Sequence, residues 1–203
     1  MSRLGTRALV LAVLTPLLAW GQPSGVPSGR QVRTLVDEVV AARHADKNDM
    51  VLDLDARVRA RWGDFETFPL TIVRQESLSV DLSSPFMRYR QTLAAYLKID
   101  RPLSDIRWVD GAVVAVEPLR IDAPDVVRIS MERAGRQVQP IESDLEPMTF
   151  TNGSGEQAVI HAGDVIFPMS ALAPGAPVTV TVVPRTGASI VTAIDEAQLR
   201  LLK

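Results

Sequence analysis

The side chains with the clearest capacity for chemistry in this sequence are carboxylates that stand next to aromatic residues. Asp64 and Glu66 flank Phe65, and Trp62 and Phe68 lie close by in the chain. A carboxylate pair can serve as general acid and general base in glycoside hydrolysis, and aromatic rings can stack on sugars. The pattern therefore supports the hypothesis of a polysaccharide or peptidoglycan hydrolase. A solvated acidic turn explains the same residues.

The remaining acidic residues and the histidines are weaker candidates. Asp53 and Asp55 alternate on a predicted strand and would both face solvent, where no apolar pocket raises a carboxyl pKa. Asp49 could join them around calcium, but the spacing of a calcium loop is missing. Two histidines and no cysteine do not supply the usual ligands of zinc or copper. We expect His44 to complement the dipole at the end of the first helix and His161 to be a polar residue beside a turn.

Nucleophilic and anion-binding motifs are also incomplete. Ser154 lies between glycines in the segment 152–155, but Gly-x-Ser-x-Gly is absent and a flexible loop explains the composition. No phosphate-binding glycine motif occurs, so the sequence predicts no nucleotide, no other cofactor and no metal. Arg88 and Arg90 stand at the start of a predicted helix, where anions are attracted. We expect Arg88 to be solvated and Arg90 to close the edge of the core against a carboxylate. Arg90 is also the candidate contact for a small hydrophobic or anionic ligand, if the protein is a carrier.

The binding surface that the sequence favours is a long acidic segment, residues 140–156, which we interpret as a loop. It contains Glu142, Asp144 and Glu146 within five positions. Exposed loops on rigid β-sheet scaffolds tend to carry function, and this loop would be longer than most. These three acidic residues are therefore the predicted contacts with a partner.

The first 21 residues have the pattern of a secretory signal peptide. Arg3 and Arg7 precede an apolar run at residues 8–20, and Ala19 and Gly21 are the small residues expected before a cleavage site. The run is shorter than the roughly 20 residues that a membrane-spanning helix needs. We expect cleavage after Gly21 and no membrane span in the mature chain.

Composition narrows the expected location and partners. The absence of cysteine excludes disulfides and thiol lipidation, which is typical of a bacterial periplasmic or secreted protein rather than a small disulfide-rich module. A net charge of −2 gives no electrostatic reason to bind nucleic acid or anionic lipid. The expected partner is a protein or glycan of the bacterial envelope or the extracellular space.

The elements that would position these residues start with a flexible leader at residues 22–29. Residues 30–105 then predict a helix, an antiparallel strand pair and a covering helix. The pair would consist of residues 50–62, where apolar and polar residues alternate over 13 positions, and residues 70–82. The covering helix at residues 85–98 has a serine cap, a proline in its first turn and one apolar stripe.

Residues 106–203 have the short, regularly spaced strand patterns of a β-sandwich, with a short final helix capped by Asp195 and Gln198. Ala134-Gly135 and Ala162-Gly163 are predicted hairpin turns. The predicted strands are residues 112–117, 126–132, 157–161, 164–168, 178–183 and 189–193.

Two stretches of this half resemble bacterial immunoglobulin-like or fibronectin-type modules. These are residues 126–140, which end in Gly-Arg-Gln-Val-Gln-Pro, and residues 172–183, where Pro-Gly precedes alternating valine and threonine. The disulfide and the tyrosine corner of such modules are missing. The resemblance implies a domain that binds or presents partners rather than a catalyst.

The sequence therefore predicts an α+β, mainly β protein: a strand pair covered by one helix, followed by a β-sandwich-like C-terminal half. The predicted function is non-enzymatic binding or presentation of a partner. A periplasmic ligand carrier and a wall hydrolase are the alternatives.

Overall fold

A computed structural model of the chain describes residues 27–42, 44, 46–65 and 68–202. The predicted signal peptide, most of the predicted leader and Glu66 lie outside these residues. Four helices and ten strands in two antiparallel sheets make up the described part, which confirms an α+β, mainly β fold.

The first helix, α1, spans Gly29–Ala41. Ser28 is the N-cap, and the Gln31 side chain accepts both its backbone N–H at 2.9 Å and its hydroxyl at 2.8 Å. Its apolar residues recur at helical spacing, and Val32, Leu35, Val36 and Val39 are buried, whereas Val40 remains 46% exposed. The predicted helix is thus confirmed, and it ends before His44.

The predicted strand at residues 50–62 is wrong, because the second helix, α2, spans Lys47–Trp62. The Asp46 side chain caps the helix by accepting the Asn48 N–H, and Gly63 ends it with φ +85°. The buried positions of α2 follow helical spacing: Val51, Leu54, Asp55 and Val58. The same segment also alternates apolar and polar residues, so its sequence fits both a helix and a strand. Capping and packing against other helices decide between the two patterns.

The third helix, α3, spans Pro85–Lys98 as predicted. The Ser84 side chain accepts the Met87 N–H at 3.3 Å, and Pro85 occupies the first turn. Phe86 and Tyr89 are buried against α1 and α2 in a helical core. On its other side α3 contacts the first sheet, so it joins the two layers.

The first sheet runs in the order β1–β2–β3–β8–β6, with β7 also paired to β8. The segment predicted as one strand at residues 70–82 is a hairpin, because a turn at residues 75–77 folds it back. The strands are β1 Leu70–Arg74, β2 Leu78–Ser83, β3 Ala112–Pro118, β6 Glu142–Ser143, β7 Glu146–Thr151 and β8 Gln157–Phe167.

The second sheet runs in the order β10–β9–β4–β5. The predicted turn at Ala134-Gly135 joins β4 to β5, and both residues have positive φ. The predicted cap of the final helix, α4, is confirmed, since Asp195 and Gln198 form its capping box. These elements are β4 Val126–Arg133, β5 Arg136–Val138, β9 Val178–Pro184, β10 Ile190–Ile194 and α4 Glu196–Leu201.

The inner faces of the two sheets share one apolar core, as in a sandwich. Val114 and Phe167 come from the first sheet, and Met131 and Val180 come from the second. At one side the sheets meet where the Thr192 hydroxyl donates to the Ile72 carbonyl at 3.2 Å. The predicted division at residues 105/106 falls between β2 and β3, which pair with each other. As a statement about independently folding units, that division stays a prediction.

Candidate functional site

The segment at residues 140–156 is not a long loop, as the sequence suggested, but an edge strand and a turn. β6 and β7 follow β8 in one register, since Glu142 is opposite Ile166 and Glu146 is opposite Ala162. Between them the Asp144 N–H donates to the Asp164 carbonyl at 2.9 Å, so the pairing is continuous. We call residues 142–151 and 157–167 the edge ribbon.

Gly163 lies inside β8 rather than in the predicted hairpin turn at Ala162-Gly163, and residues 157–167 form one strand. Its φ is +134°, and a Cβ added there would lie 2.1 Å from the Asp144 carbonyl oxygen. The glycine therefore serves close approach of two backbones, which is the other common role of glycine in a strand. From sequence alone this role and a turn look the same.

The three predicted contact residues lie on one side of the edge ribbon. Glu142, Asp144 and Glu146 alternate along one strand, so their side chains share a face, about 7 Å apart along the chain. Shielding from solvent raises the pKa of the Asp144 carboxyl, and the neighbouring charges of Glu142 and Glu146 add to this shift. Arg107 partly neutralises the group through two contacts with Glu142, at 3.1 and 3.3 Å. We call these three carboxylates the acidic row.

The outer half of the edge ribbon extends beyond the rest of the sheet. β3 pairs with residues 163–167 of β8, whereas residues 157–162 pair with β7. Apolar side chains are open to solvent on both faces: Met148 is 55% exposed on the face of the acidic row, and Val159, which is opposite Thr149, is 66% exposed on the other face. A partner segment beside β7 that contacts the acidic row could therefore also bury Met148.

No strand in the described part of the chain pairs with the outer edge of β7, and Pro147 limits how many hydrogen bonds that edge could donate. Pro147 is opposite His161, and the His161 N–H points away from β7 to the Asp125 carboxylate, at 2.8 Å. In that alternation the backbone groups of Thr149 and Thr151 point outward, and Pro147 offers no N–H. An incoming strand would find donors at the two threonines.

Arg90 closes the helical core against a carboxylate, as predicted. It donates three hydrogen bonds of 2.8–2.9 Å to Asp55, whose side chain is 3% exposed. The expected exposure of Asp55 on a strand face is wrong, because α2 turns this residue inward. As a ligand contact Arg90 stays a prediction, and a ligand would have to compete with this ion pair.

Arg88 is half-buried rather than solvated, which corrects the expectation from the sequence. Its guanidinium lies 2.6 Å from the Asp164 carboxylate, on the strand that carries the edge ribbon. Helical spacing places Arg88 away from the apolar stripe of α3. It cannot reveal the contact with Asp164, because that residue lies 76 positions away in the chain.

Both histidines differ from their expected settings. His44 lies beyond the end of α1 rather than in its last turn, and its Nε2 is 3.0 Å from the Asp53 carboxylate. A hydrogen bond from Arg57 lowers the pKa of Asp53, which is a paired carboxylate rather than a solvated one. His161 lies within β8, and its Nδ1 is 2.7 Å from Asp125.

Asp125 is the described carboxylate whose pKa is lowered most strongly. It accepts the Arg185 Nε–H at 2.7 Å as well as the contacts from His161. The Arg185 hydrogen bond is the main cause that lowers its pKa from 3.8 to about 2. These hydrogen bonds connect Asp125, just before β4, with Arg185, just after β9, and with His161 in β8.

Replacing Asp125 with Asn should reduce the free energy of unfolding by about 1–2 kcal/mol at neutral pH. A lowered folded-state pKa means that the stabilisation is complete above the unfolded value near 3.8 and is lost as the pH falls toward 2. Urea unfolding of both proteins from pH 7 to pH 2 should therefore give curves that converge in acid. Asp122→Asn, at an exposed carboxylate, is the control; a difference for Asp125→Asn that does not change with pH would contradict the assignment.

The remaining candidate residues are not assembled into a catalytic group in the part of the chain that is described. Phe65 packs edge-to-face on Phe86, with ring centroids 4.7 Å apart, and so contributes to the helical core. The Ser154 hydroxyl donates to Asn152 at 2.7 Å within the tip of the edge ribbon. Among the described residues no group of three or more histidine and acidic side chains could hold a metal ion. A hydrolytic role for Asp64 and Glu66 stays untested, since Glu66 lies outside those residues.

Comparisons with known proteins add no family. No protein-family profile, curated protein or solved structure matches this chain. The resemblance to immunoglobulin-like modules therefore stays a prediction. Within residues 27–202 as described, no helix is long and apolar enough to cross a membrane.

Proposed function

We propose that this chain is an exported, non-enzymatic binding protein that holds a partner along the outer half of the edge ribbon. The observation that carries the proposal is the outer edge of β7, which pairs with no strand of the described residues and carries the exposed side chain of Met148. Open strand edges pair readily with a further extended segment, and they are usually short or covered where no pairing is wanted.

The acidic row indicates the chemistry of the partner. Three carboxylates in a line favour a segment with positive charges, and the direct hydrogen bonds of Arg107 are made to Glu142. Backbone hydrogen bonds to β7 would supply affinity, while alternate side chains would give specificity. A basic, extended polypeptide of the bacterial envelope or the extracellular space fits this surface best.

Site-specific photo-crosslinking in the native host tests the surface. A photoreactive amino acid at Met148 should give a discrete crosslinked adduct, and one at Val191 should not. The two positions are comparable, since each lies in an outer strand of its sheet and the residues are 55% and 64% exposed. Equal adducts from both positions, or none from Met148, would contradict the proposal.

A charge variant separates partner chemistry from folding. Asp144→Lys combined with Glu146→Lys should remove the Met148 adduct and leave the melting transition within a few degrees, because both residues are exposed. Deletion of residues 142–146 is unsuitable for this purpose, since these residues pair with β8. An unchanged adduct would show that the acidic row does not contact the partner.

A further inference from the structure

A groove runs along α1, and it uses no residue of the edge ribbon. It consists of two adjoining clefts of about 580 and 520 Å³, which share Arg33 and Asp37. Either volume lies in the range of small-ligand sites. Trp108 borders the first cleft and Tyr89 borders the second.

The Tyr89 hydroxyl adds a hydrogen-bond donor to this groove. Tyr89 is 4% exposed as a whole residue and borders the second cleft together with Arg33 and Asp37. Its hydroxyl makes no hydrogen bond with another described residue, and it is not a fully buried polar atom without a partner, so it is accessible from the cleft. Burial raises the pKa of Tyr89. The groove therefore contains an accessible hydroxyl donor next to two charges.

Arg33 and Asp37 are left available on α1. They lie four residues apart on one helix face, and neither takes part in an ion pair with any described residue within 4 Å. An arginine that precedes an aspartate by four residues is the less favourable order for a pair within a helix. One cation and one anion thus face the same groove.

The wall around these charges is apolar. Val36 and Val40 from α1 face Leu103 and Ile106 across the second cleft. Val40 is 46% exposed although the rest of its helix face is packed. A ligand that filled the cleft would bury this apolar surface and supply counter-charges to both ions.

We propose that the α1 groove binds a small zwitterion with an apolar side chain, its carboxylate held by Arg33 and the Tyr89 hydroxyl and its ammonium by Asp37. The apolar side chain would lie against Val36 and Leu103. A free apolar amino acid and a short apolar peptide share this chemistry. The groove follows α1 from Ser28 to Val40, about 18 Å at 1.5 Å per residue, which gives room for either.

Titration calorimetry with the purified protein tests the proposal with L-leucine and L-leucyl-L-leucine as probes. The wild type should bind at least one of them at millimolar concentration or better, and tighter binding of one probe identifies the source. Leucinamide, which lacks the carboxylate, and N-acetylleucine, which lacks the ammonium, should both bind at least about tenfold more weakly, since each leaves a charge of the groove unpaired.

Variants of the protein locate the binding. Tyr89→Phe should weaken binding about fivefold to tenfold and Arg33→Gln more than tenfold, because both remove donors to the carboxylate. Tyr96→Phe, on the same helix and outside the groove, should bind as the wild type does. The proposal is overturned if neither probe binds the wild type, or if Tyr89→Phe and Arg33→Gln both retain wild-type affinity.

Discussion

Replacing Asp55 with Ala should lower the free energy of unfolding by about 3–5 kcal/mol, one of the two largest effects expected for a single substitution in this chain. The Arg90 guanidinium is 18% exposed and donates three hydrogen bonds to Asp55. Without the carboxylate, a charged group remains in a helical core with no partner. Urea unfolding followed by circular dichroism measures the change.

Two further variants separate the loss of the ion pair from other effects of the substitution. Asp53→Ala, two residues earlier on α2, removes a carboxylate that is 23% exposed, and it should cost about 1 kcal/mol or less. The double variant Asp55→Leu with Arg90→Met should recover most of the lost stability, because apolar residues of similar volume can replace a buried pair. If Asp55→Ala costs no more than Asp53→Ala, the pair does not stabilise the fold.

Replacing Gly163 with Ala should destabilise the protein by about 2–4 kcal/mol and detach the edge ribbon first. A side chain at φ +134° is strained, and the new Cβ would lie 2.1 Å from the Asp144 carbonyl oxygen, so the backbone of one strand must move. Because that carbonyl belongs to a backbone, the clash cannot be relieved by turning a side chain.

Amide hydrogen exchange gives a local measure of this effect. The Asp144 N–H, which donates to the Asp164 carbonyl, should lose protection in Gly163→Ala more than amides in the second sheet do. Gly153→Ala is the matched control, since a Cβ at Gly153 would meet no atom within 4 Å. Its stability should stay within about 0.5 kcal/mol of the wild type. Equal effects of the two glycine variants would contradict the proposed close approach.

The sequence predicts an element correctly where the interactions that form the element lie within one short segment. The cap at Ser84, the proline in the first turn and the apolar stripe predict α3 with its observed bounds. The capping box of α4 and the Ala134-Gly135 turn are local in the same way. These features could be predicted because their hydrogen bonds join residues within one turn of chain.

Features that depend on distant residues were not predictable. Alternation at residues 50–62 favoured a strand, and only the packing of α2 against α1 and α3 selects the helix. For the candidate surface, composition located the acidic residues but did not show that they lie in strands. β6 and β7 are strands because they pair with β8, which lies further along the chain. The position of Tyr89 beside the α1 groove gave no signal either, because an aromatic residue in a helical stripe predicts core whether or not its hydroxyl reaches a cleft.

Pro147 has a consequence for how copies of this protein meet one another. Two β7 edges that paired across a two-fold axis would form a closed dimer, whereas β7 against another exposed edge would repeat without end. In either case the missing N–H at Pro147 shortens the ladder to the stretch around Thr149 and Thr151. Pro147 would therefore limit the length of any segment added to β7, and the same missing donor disfavours fibre-like self-assembly through this edge.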